Sequence, residues 1–240
     1  MNILITGGAS GLGKAITEIL AGNKNNTVYF TYSKSKEKAE EIKSFFENTI
    51  SIKCDFSEPS ELLSLQDRVK EMDLDVLINN AYSGKINQMH FHKYPPIDFL
   101  KDFTDNIIPT ITITQAAIKW FRKKKKGKII TILSSGLINV PPTGMSSYIA
   151  NKAYLEKLTK CWANENSKFN ITSNSVSPSF MKAALTDDFD DRIVEQMTLN
   201  HPNKKLITTN EVAESVMFLT KAGNHINGVD LLMNAGVNIK

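Results

Sequence analysis

Short apolar runs alternate with longer amphipathic segments along the whole chain, and this order constrains the fold more than any other feature. The apolar runs are strand-sized and almost continuously apolar, which is typical of strands covered on both faces. The longer segments repeat their apolar residues at helical spacing. Strict alternation of strand and helix predicts an α/β fold with a doubly wound, seven-stranded parallel sheet and helices on both faces.

The same pattern predicts the boundaries of each element. Strands are predicted at residues 2–6, 27–32, 50–53, 76–79, 128–133, 170–176 and 228–233. Helices are predicted at residues 11–21, 35–47, 58–70, 99–124, from near Tyr148 to 164, and 210–221. The stretch 178–207 is predicted to be irregular.

Length and composition exclude several classes of protein. The 240 residues can form one large core, so we expect a single domain spanning residues 1–240. No apolar stretch is long enough to cross a bilayer, and the amino terminus lacks the pattern of a signal peptide, so we expect a cytoplasmic protein without a membrane partner. Cys54 and Cys161 lie far apart without metal-ligand spacing, so we expect free thiols and no metal site.

The charge of the chain is only mildly positive. A net charge of +4 at this length does not indicate a nucleic-acid partner. The densest basic stretch runs from Arg122 to Lys126, directly before Gly127. Cations ahead of a glycine are typical of a helix carboxyl end, where they face the negative end of the dipole. We therefore favour a solvated helix end, with a polyanion-binding patch as the alternative.

A glycine-rich turn from Thr6 to Gly13 joins the first predicted strand to the first predicted helix. Glycines at 7, 11 and 13 permit a tight turn, close approach of the backbone to a pyrophosphate, and close packing of helix on strand. The helix amino terminus then faces the anion. This context predicts dinucleotide binding, and an ordinary glycine-rich connection is the alternative.

A tyrosine and a lysine four residues apart form the second candidate site. On a helix, Tyr148 and Lys152 lie one turn apart on the same face. A free phenol has a pKa of about 10, and a nearby cation favours the phenolate, so the pair suits proton transfer near neutral pH. An amphipathic helix with a solvated lysine is the alternative, because this spacing also arises by chance.

These motifs together resemble the short-chain dehydrogenase/reductase family, in its single-domain branch, and most of all its 3-oxoacyl-carrier-protein reductases. The resemblance covers essentially the whole chain. Its motifs are the turn Thr6 to Gly13, Asp55, Asn79 to Ala81, Asn106, Ser134 with Ser135, Tyr148 with Lys152, Asn174 to Pro178, and the pattern from Ile226 to Gly236. The resemblance implies a Rossmann-type fold, hydride transfer between a nicotinamide dinucleotide and a small-molecule ketone or alcohol, and a homotetramer or homodimer formed through the two longest helices.

Roles for individual residues follow from the same resemblance. Tyr148 would exchange a proton with the substrate oxygen, and Ser135, thirteen positions earlier, would hydrogen-bond that oxygen, with Ser134 as a structural neighbour. Lys152 would bind the nicotinamide ribose and lower the pKa of the phenol, while Asn106 would hold a water that links Lys152 to solvent. Cofactor contacts are implied for Gly7, Ser10, Gly11, Leu12, Gly13, Tyr32, Ser33, Lys34, Asp55, Asn79, Ala81, Tyr148, Lys152 and Pro178.

The end of the second strand bears on the choice of cofactor. An acidic side chain there would bind the adenosine ribose and repel a 2′-phosphate. Tyr32 stands at that position instead, followed by Ser33 and Lys34, which can contact a phosphate. We therefore expect NADP(H) rather than NAD(H). For the adenine part of the cofactor, the resemblance implies that Asp55 binds the amino group and that Asn79 and Ala81 line the adenosine pocket.

Three residues depart from the family pattern near the nicotinamide. Tyr82 replaces the glycine that follows Asn-Asn-Ala, and Ser179 replaces another glycine. Ala183 stands where a threonine often contacts the carboxamide. These changes are compatible with a narrowed cofactor site, or with a differently shaped substrate site that Tyr82 lines.

Substrate specificity is expected to lie in three loops beyond the carboxyl ends of the strands, at residues 82–96, 136–147 and 179–207, the last acting as a lid. Their apolar content favours a lipophilic or acyl-chain ketone, such as a 3-oxoacyl thioester, which an acidic carrier protein could present to this basic chain. A reductase of sugars or small alcohols that uses NAD(H) is one alternative. A dinucleotide-binding sensor without turnover is another.

Overall fold

The computed structural model describes residues 1–84, 86, 88–138, 140–186 and 189–237. The strands are β1 (Asn2–Ile5), β2 (Thr27–Tyr32), β3 (Thr49–Lys53), β4 (Val76–Asn79), β5 (Gly127–Ile132), β6 (Ile171–Pro178) and β7 (Asp230–Met233). The helices are α1 (Gly11–Ala21), α2 (Lys36–Phe45), α3 (Pro59–Arg68), α4 (Pro96–Lys124), α5 (Ser146–Asn166), α6 (Asp191–Asn200) and α7 (Thr209–Lys221). All neighbouring strands pair in parallel, in the order β3-β2-β1-β4-β5-β6-β7. The predicted doubly wound, Rossmann-type fold is confirmed.

Each face of the sheet carries its own apolar core. Ile3 and Ile5 of β1 pack in a cluster with α1, α2 and α7, whereas Leu4 between them packs in a second cluster with α3, α4 and α5. Successive side chains of a strand point to opposite faces, so both sets are covered. Full burial of one such side chain contributes about 1.5–3 kcal/mol. This two-sided burial explains why the strands read as continuous apolar runs in the sequence.

The basic run after Phe121 lies at the carboxyl end of α4, as predicted. The helix ends at Lys124, and Lys125 adopts the left-handed conformation with a φ of 52°. The Lys124 ammonium forms ion pairs with Asp73 and Asp75, at 2.9 and 2.8 Å. The helix end is therefore anchored to the loop before β4 as well as solvated.

The prediction of an irregular stretch from 178 to 207 is wrong in its central part, where α6 forms. The Asp190 carboxylate accepts a hydrogen bond from the Arg192 backbone N–H at 2.8 Å and so caps the first turn. Val194 and Met197 are partly buried, one turn apart, but none of the helix residues is fully buried. This weak apolar periodicity explains why the helix could not be read from the pattern of hydrophobic residues.

The carboxyl ends of β1, β4, β5 and β6 meet at one edge of the sheet. The strand order reverses at β1. Strands β2 and β3 lie on one side of β1, and strands β4 to β7 lie on the other. In open parallel sheets, ligands bind in the crevice at this reversal. Among the residues that the structure describes, no helix is long and apolar enough to span a membrane.

Candidate active site

Glycines of the turn between β1 and α1 stand at positions that leave no room for a side chain. Gly7 and Gly11 have φ values of 66° and 52°, which glycine adopts without strain. A Cβ added at Gly13 would lie 1.9 Å from the Gly7 carbonyl oxygen, so backbone itself blocks the position. The turn therefore presents bare backbone at the amino terminus of α1, an arrangement that binds phosphate groups.

Side chains from neighbouring strands hold this turn in place. The Thr31 hydroxyl accepts a hydrogen bond from the Gly7 N–H at 2.8 Å. The Asn80 amide donates to the carbonyl oxygens of Thr6 and Gly7, at 2.9 and 3.1 Å. The shape of the turn is thus set by β2 and by the segment after β4.

One cavity of about 820 Å³ extends from this turn to the amino-terminal end of α5. Its lining includes most residues for which the sequence predicts a role: Gly7, Ser10, Gly11, Leu12, Gly13, Tyr32, Ser33, Lys34, Asp55, Ala81, Ser135, Tyr148, Lys152 and Pro178. The structure therefore brings the glycine turn and the tyrosine–lysine pair into one space.

Asn79 lies outside that lining, which corrects the expectation that it lines the adenosine pocket. Its side chain is buried, and its amide donates to the Thr114 hydroxyl of α4 at 2.9 Å. Because side chains alternate at the end of β4, Asn79 faces the α4 side of the sheet and Asn80 faces the glycine turn. Asn80, for which the sequence predicted no role of its own, is the asparagine that contacts the turn.

Asn106 is also absent from the cavity lining and instead holds the loop after β4. Its side-chain oxygen accepts a hydrogen bond from the Ser83 N–H at 2.6 Å, and its amide donates to the Asp102 carbonyl at 2.9 Å. Asn106 thus fixes the backbone directly after Tyr82. Its expected role in holding a water beside Lys152 stays a prediction.

α5 presents Tyr148 and Lys152 to the inner end of the cavity. The Lys152 ammonium is buried and donates to the Ile132 carbonyl at 2.8 Å, and burial lowers the pKa of Lys152 to about 8. Burial raises the pKa of Tyr148 to about 12, against a hydrogen bond from Ser134 that lowers it. Desolvation therefore dominates the pKa of this phenol, whose ring centroid lies 5.7 Å from the Lys152 ammonium, and the expected lowering of the phenol pKa by Lys152 stays a prediction.

The serine bonded to the Tyr148 hydroxyl is Ser134, not Ser135. Ser134 continues the extended backbone of β5, and its hydroxyl also accepts a hydrogen bond from the Gly136 N–H at 3.1 Å. Ser135 instead begins a short 3₁₀ helix. Both serines line the cavity, and the predicted hydrogen bond from Ser135 to the substrate oxygen stays a prediction.

Tyr82 stands at the same inner end of the cavity. Its ring meets the Tyr148 ring edge-on, with centroids 5.1 Å apart and an interplanar angle of 69°. The Lys152 ammonium lies 5.4 Å from the centroid of the Tyr82 ring. The sequence marked Tyr82 as an unusual residue that could line the substrate site, but it carried no signal for this contact with the lysine.

At the outer end of the cavity, Asp55 is held as a carboxylate. It accepts hydrogen bonds from the Ser33 hydroxyl at 2.7 Å, and from the Ser57 N–H and hydroxyl at 3.0 and 2.7 Å. These bonds, Ser33 first, lower the pKa of Asp55 to about 2. The structure directs the Ser33 hydroxyl to Asp55 rather than outward to a phosphate, which leaves the exposed Lys34 as the candidate phosphate contact.

The two cysteines are free, as predicted, and Cys54 lines the cavity beside Asp55. Burial raises the pKa of Cys54 to about 12, so this thiol stays neutral and unreactive. Within the described part of the chain, no three His, Cys, Asp or Glu residues lie close enough together to hold a metal ion.

These features fit a bound nicotinamide dinucleotide. Adding a side chain at Gly13 would fill the cradle at the helix amino terminus, which is where a pyrophosphate would be held. At the other end, the buried Ser179 hydroxyl lines the cavity and has no hydrogen-bond partner among the described residues. Lys152 and Tyr148 line the same cavity as Ser179 and the turn.

Comparison with known proteins places the chain in a family. A family model described as enoyl-(acyl carrier protein) reductase matches residues 7–238. A 3-oxoacyl-[acyl-carrier-protein] reductase from Buchnera aphidicola subsp. Baizongia pistaciae is 30% identical over 238 residues, covering 98% of this chain and 96% of that protein. The protein of the same description from Staphylococcus aureus strain Mu50 is 31% identical over 241 residues, with the same coverage. The chain belongs to the short-chain dehydrogenase/reductase family, whose members are nicotinamide-dependent oxidoreductases.

Solved structures support the fold. A short-chain dehydrogenase/reductase family protein superimposes with a TM-score of 0.86 at 24% identity, covering 98% of this chain and 96% of that one. A proposed gluconate dehydrogenase from Agrobacterium tumefaciens gives a TM-score of 0.88 at 20% identity, covering 100% of this chain and 96% of that one. At these identities the likeness shows the architecture only.

Proposed function

We propose that this protein is an NADP(H)-dependent oxidoreductase that reduces a ketone to a secondary alcohol, with 3-oxoacyl thioesters as its substrate class. The observation that carries this proposal is the convergence of bare phosphate-binding backbone with Ser134, Tyr148 and Lys152 in one cavity. Relatives described as 3-oxoacyl-[acyl-carrier-protein] reductases, similar over nearly the whole chain, support the choice of substrate class.

The cluster around Tyr148 suits the proton-transfer half of such a reduction. A bound, reduced nicotinamide would supply the hydride. A substrate carbonyl oxygen placed at the hydroxyls of Ser134 and Tyr148 would accept a hydrogen bond from each. Because burial raises the pKa of Tyr148 to about 12, the phenol is protonated at neutral pH and can donate its proton to the developing alkoxide. The Lys152 ammonium then stabilises the phenolate that remains.

The walls of the inner cavity favour an apolar substrate over a polyol. Apolar side chains from the loop after β5 and from the segment after β6 line the cavity: Ile138, Pro142, Met145, Phe180, Leu185 and Phe189. An acyl chain can pack against such walls, whereas the hydroxyls of a sugar would be buried there without partners. The segment 179–207, whose described part includes α6, is the proposed lid over this end.

The preference for NADP(H) rests on the end of β2. Tyr32, Ser33 and Lys34 line the cavity there, and none of them is acidic. The Lys34 ammonium would attract a 2′-phosphate, while Asp55 would meet the adenine. We expect Lys34→Ala to weaken NADPH binding about tenfold and to change NADH binding by less than about twofold. Equal losses for both cofactors would contradict this assignment of Lys34.

The proposed reaction is tested by following the oxidation of NADPH and NADH against a panel of substrates. The panel contains 3-oxoacyl thioesters, diketones, keto sugars and enoyl thioesters, the last because the matching family model is described as an enoyl reductase. We expect the highest kcat/KM with NADPH and a 3-oxoacyl thioester, and a lower value with every keto sugar. Preferred turnover of an enoyl thioester would overturn the assignment to carbonyl reduction.

A dinucleotide-binding sensor without turnover is the second candidate. The observation that favours it is the ring of Tyr82, which narrows the cavity where the nicotinamide end of the cofactor would lie. Tight NADPH binding, measured by fluorescence, together with no turnover across the whole panel would support the sensor.

We also infer self-association through α4 and α5. Ile97 and Leu100 of α4 are 67% and 60% exposed, and Tyr154 of α5 is 43% exposed. Large apolar side chains exposed on adjacent helices favour a protein interface. Sedimentation should show a dimer or tetramer that Leu100→Glu dissociates, and a monomeric wild-type protein would contradict this inference.

A further inference from the structure

The contacts of Tyr82 set it apart from an ordinary residue of the cavity wall. Its ring lies beside both groups of the proton-transfer pair, with its centroid 5.1 Å from that of Tyr148 and 5.4 Å from the Lys152 ammonium. A cation within about 6 Å of an aromatic centroid is attracted by the ring, more strongly when both are desolvated. Lys152 is only 4% exposed, so the contact is made away from water.

Tyr82 lies between two helices that set its position. On the α4 side, the Asn106 side-chain oxygen accepts a hydrogen bond from the N–H of Ser83, the next residue, at 2.6 Å. On the α5 side, the side chain of Asn151, directly before Lys152, lies close enough to the Tyr82 hydroxyl to lower the pKa of that phenol, against the larger effect of burial. The ring therefore has a defined place between the two helices, and its position is coupled to that of the lysine.

The aromatic ring of Tyr82, and not its hydroxyl proton, is the part of this residue that can act on Lys152. Burial, together with the nearby Asp102 carboxylate, raises the pKa of Tyr82 above the ordinary phenol value. Asp102 itself accepts hydrogen bonds from the hydroxyls of Tyr94 and Ser147, each at 2.6 Å. A phenol held neutral in this way interacts with the lysine through its ring and not as a phenolate anion.

The surroundings of Lys152 show why such a ring matters. Its ammonium donates to the Ile132 carbonyl of β5, and among the described residues the rings of Tyr148, on its own helix, and of Tyr82, on the loop after β4, lie against it. Burial is what lowers the pKa of Lys152. These two rings and this carbonyl each offset part of the loss of water around the charge.

We propose that Tyr82 is a positioning residue of the proton-transfer site, whose ring keeps the buried Lys152 ammonium charged and sets the orientation of the Tyr148 phenol. The proposal rests on the proposed function for its catalytic consequence. Its electrostatic part concerns Lys152 in the protein itself and can be measured without substrate.

The test compares Tyr82→Phe, which keeps the ring, with Tyr82→Leu, which fills the space without one. Tyr29→Leu is the matched control, because Tyr29 is a partly buried tyrosine that packs against the core on the α3–α5 face. Titration of the Lys152 ammonium is followed by ¹⁵N NMR, with Lys152→Ala used to assign the signal. If Tyr82→Leu fails to fold, Tyr82→Met replaces it.

We expect Tyr82→Leu to weaken the affinity of Lys152 for its proton about threefold to tenfold, which is the loss of a desolvated cation–π contact. Tyr82→Phe and Tyr29→Leu should titrate like the wild-type protein. In the reductase assay, Tyr82→Leu should lower kcat about tenfold and leave the Kd for NADPH within about threefold, with Phe restoring kcat.

Two results would overturn the proposal. One is an unchanged Lys152 titration in Tyr82→Leu, and the other is a Tyr82→Phe variant as impaired as Tyr82→Leu. If the wild-type protein reduces no carbonyl compound, the proposed function fails, while the titration of Lys152 still decides whether the Tyr82 ring stabilises its charge.

Discussion

The two ends of the cavity are built from different parts of the chain, and they have opposite effects on ionisable groups. The outer end favours the charged form of its group, whereas burial at the inner end favours the neutral forms. The outer end is made of backbone at Gly7 and Gly13, and it keeps Asp55 ionised by lowering its pKa to about 2. The inner end is made of buried side chains, and burial raises the pKa of Tyr148 to about 12 and lowers that of Lys152 to about 8. A site that holds a charged cofactor at one end and transfers a proton at the other requires this difference.

The largest effect should come from removing the phenol at the inner end. Tyr148→Phe deletes the group that donates the proton while keeping the ring that packs against Tyr82. We expect kcat to fall about 1,000-fold, within the usual range for loss of a general acid, and the Kd for NADPH to change less than about threefold. Steady-state turnover and fluorescence titration of NADPH measure the two quantities. Comparable turnover by this variant would remove Tyr148 from the reaction.

A methyl group at the outer end should have the converse effect. In Gly13→Ala the new Cβ would meet the Gly7 carbonyl oxygen at 1.9 Å, so the turn must open. We expect NADPH binding to weaken about 100-fold and folding stability to fall by about 1–3 kcal/mol, the cost of overpacking. Gly223→Ala is the matched control, since no atom lies within 4 Å of the added Cβ. Parental NADPH affinity in Gly13→Ala would show that the turn does not hold the cofactor.

The serine next to Tyr148 gives a smaller and more discriminating test. We expect Ser134→Ala to lower kcat about tenfold to 100-fold, because it removes a donor to the substrate oxygen and the hydrogen bond to the Tyr148 hydroxyl. Ser135→Ala should cost less than about threefold, since Ser135 begins the 3₁₀ helix. Parallel measurements of kcat for the two variants decide between them. The reverse order would restore the assignment made from spacing.

The same contrast explains what could be read from the sequence. The order of elements could be predicted because strands buried on both faces consist almost entirely of apolar residues. The glycine turn could be predicted because positions without room for a side chain require glycine, which is visible in the sequence. The serine that meets the Tyr148 hydroxyl could not be predicted, because it depends on the path of the chain between β5 and α5. The placement of Asn79 likewise depends on which face of the sheet its side chain takes at the end of β4. The contact of Tyr82 with Lys152 depends on the path of the loop after β4.

The helix α6 shows a further limit. Its ten residues carry no fully buried side chain, so the apolar period that marks the other helices is weak. Its amino-terminal cap, Asp190, is a local signal that could have been used. The structure of segments held by few core contacts is the hardest to predict from the pattern of hydrophobic residues alone.

The smallest effect is expected from the charge at the outer end. The folded-state pKa of Asp55 is lowered from 3.8 to about 2, so ionised Asp55 stabilises the fold above about pH 4, and this contribution is lost as the pH falls towards 2. We expect Asp55→Asn to cost about 1 kcal/mol or less at neutral pH, since a partly exposed carboxylate is screened by solvent. Urea denaturation of both proteins between pH 7 and pH 3 measures the difference, which should shrink as the pH falls. If the difference in the free energy of unfolding stays constant across this range, the hydrogen bonds from Ser33 and Ser57 do not depend on the charge of Asp55. The outer end would then lack the electrostatic character that distinguishes it from the inner end.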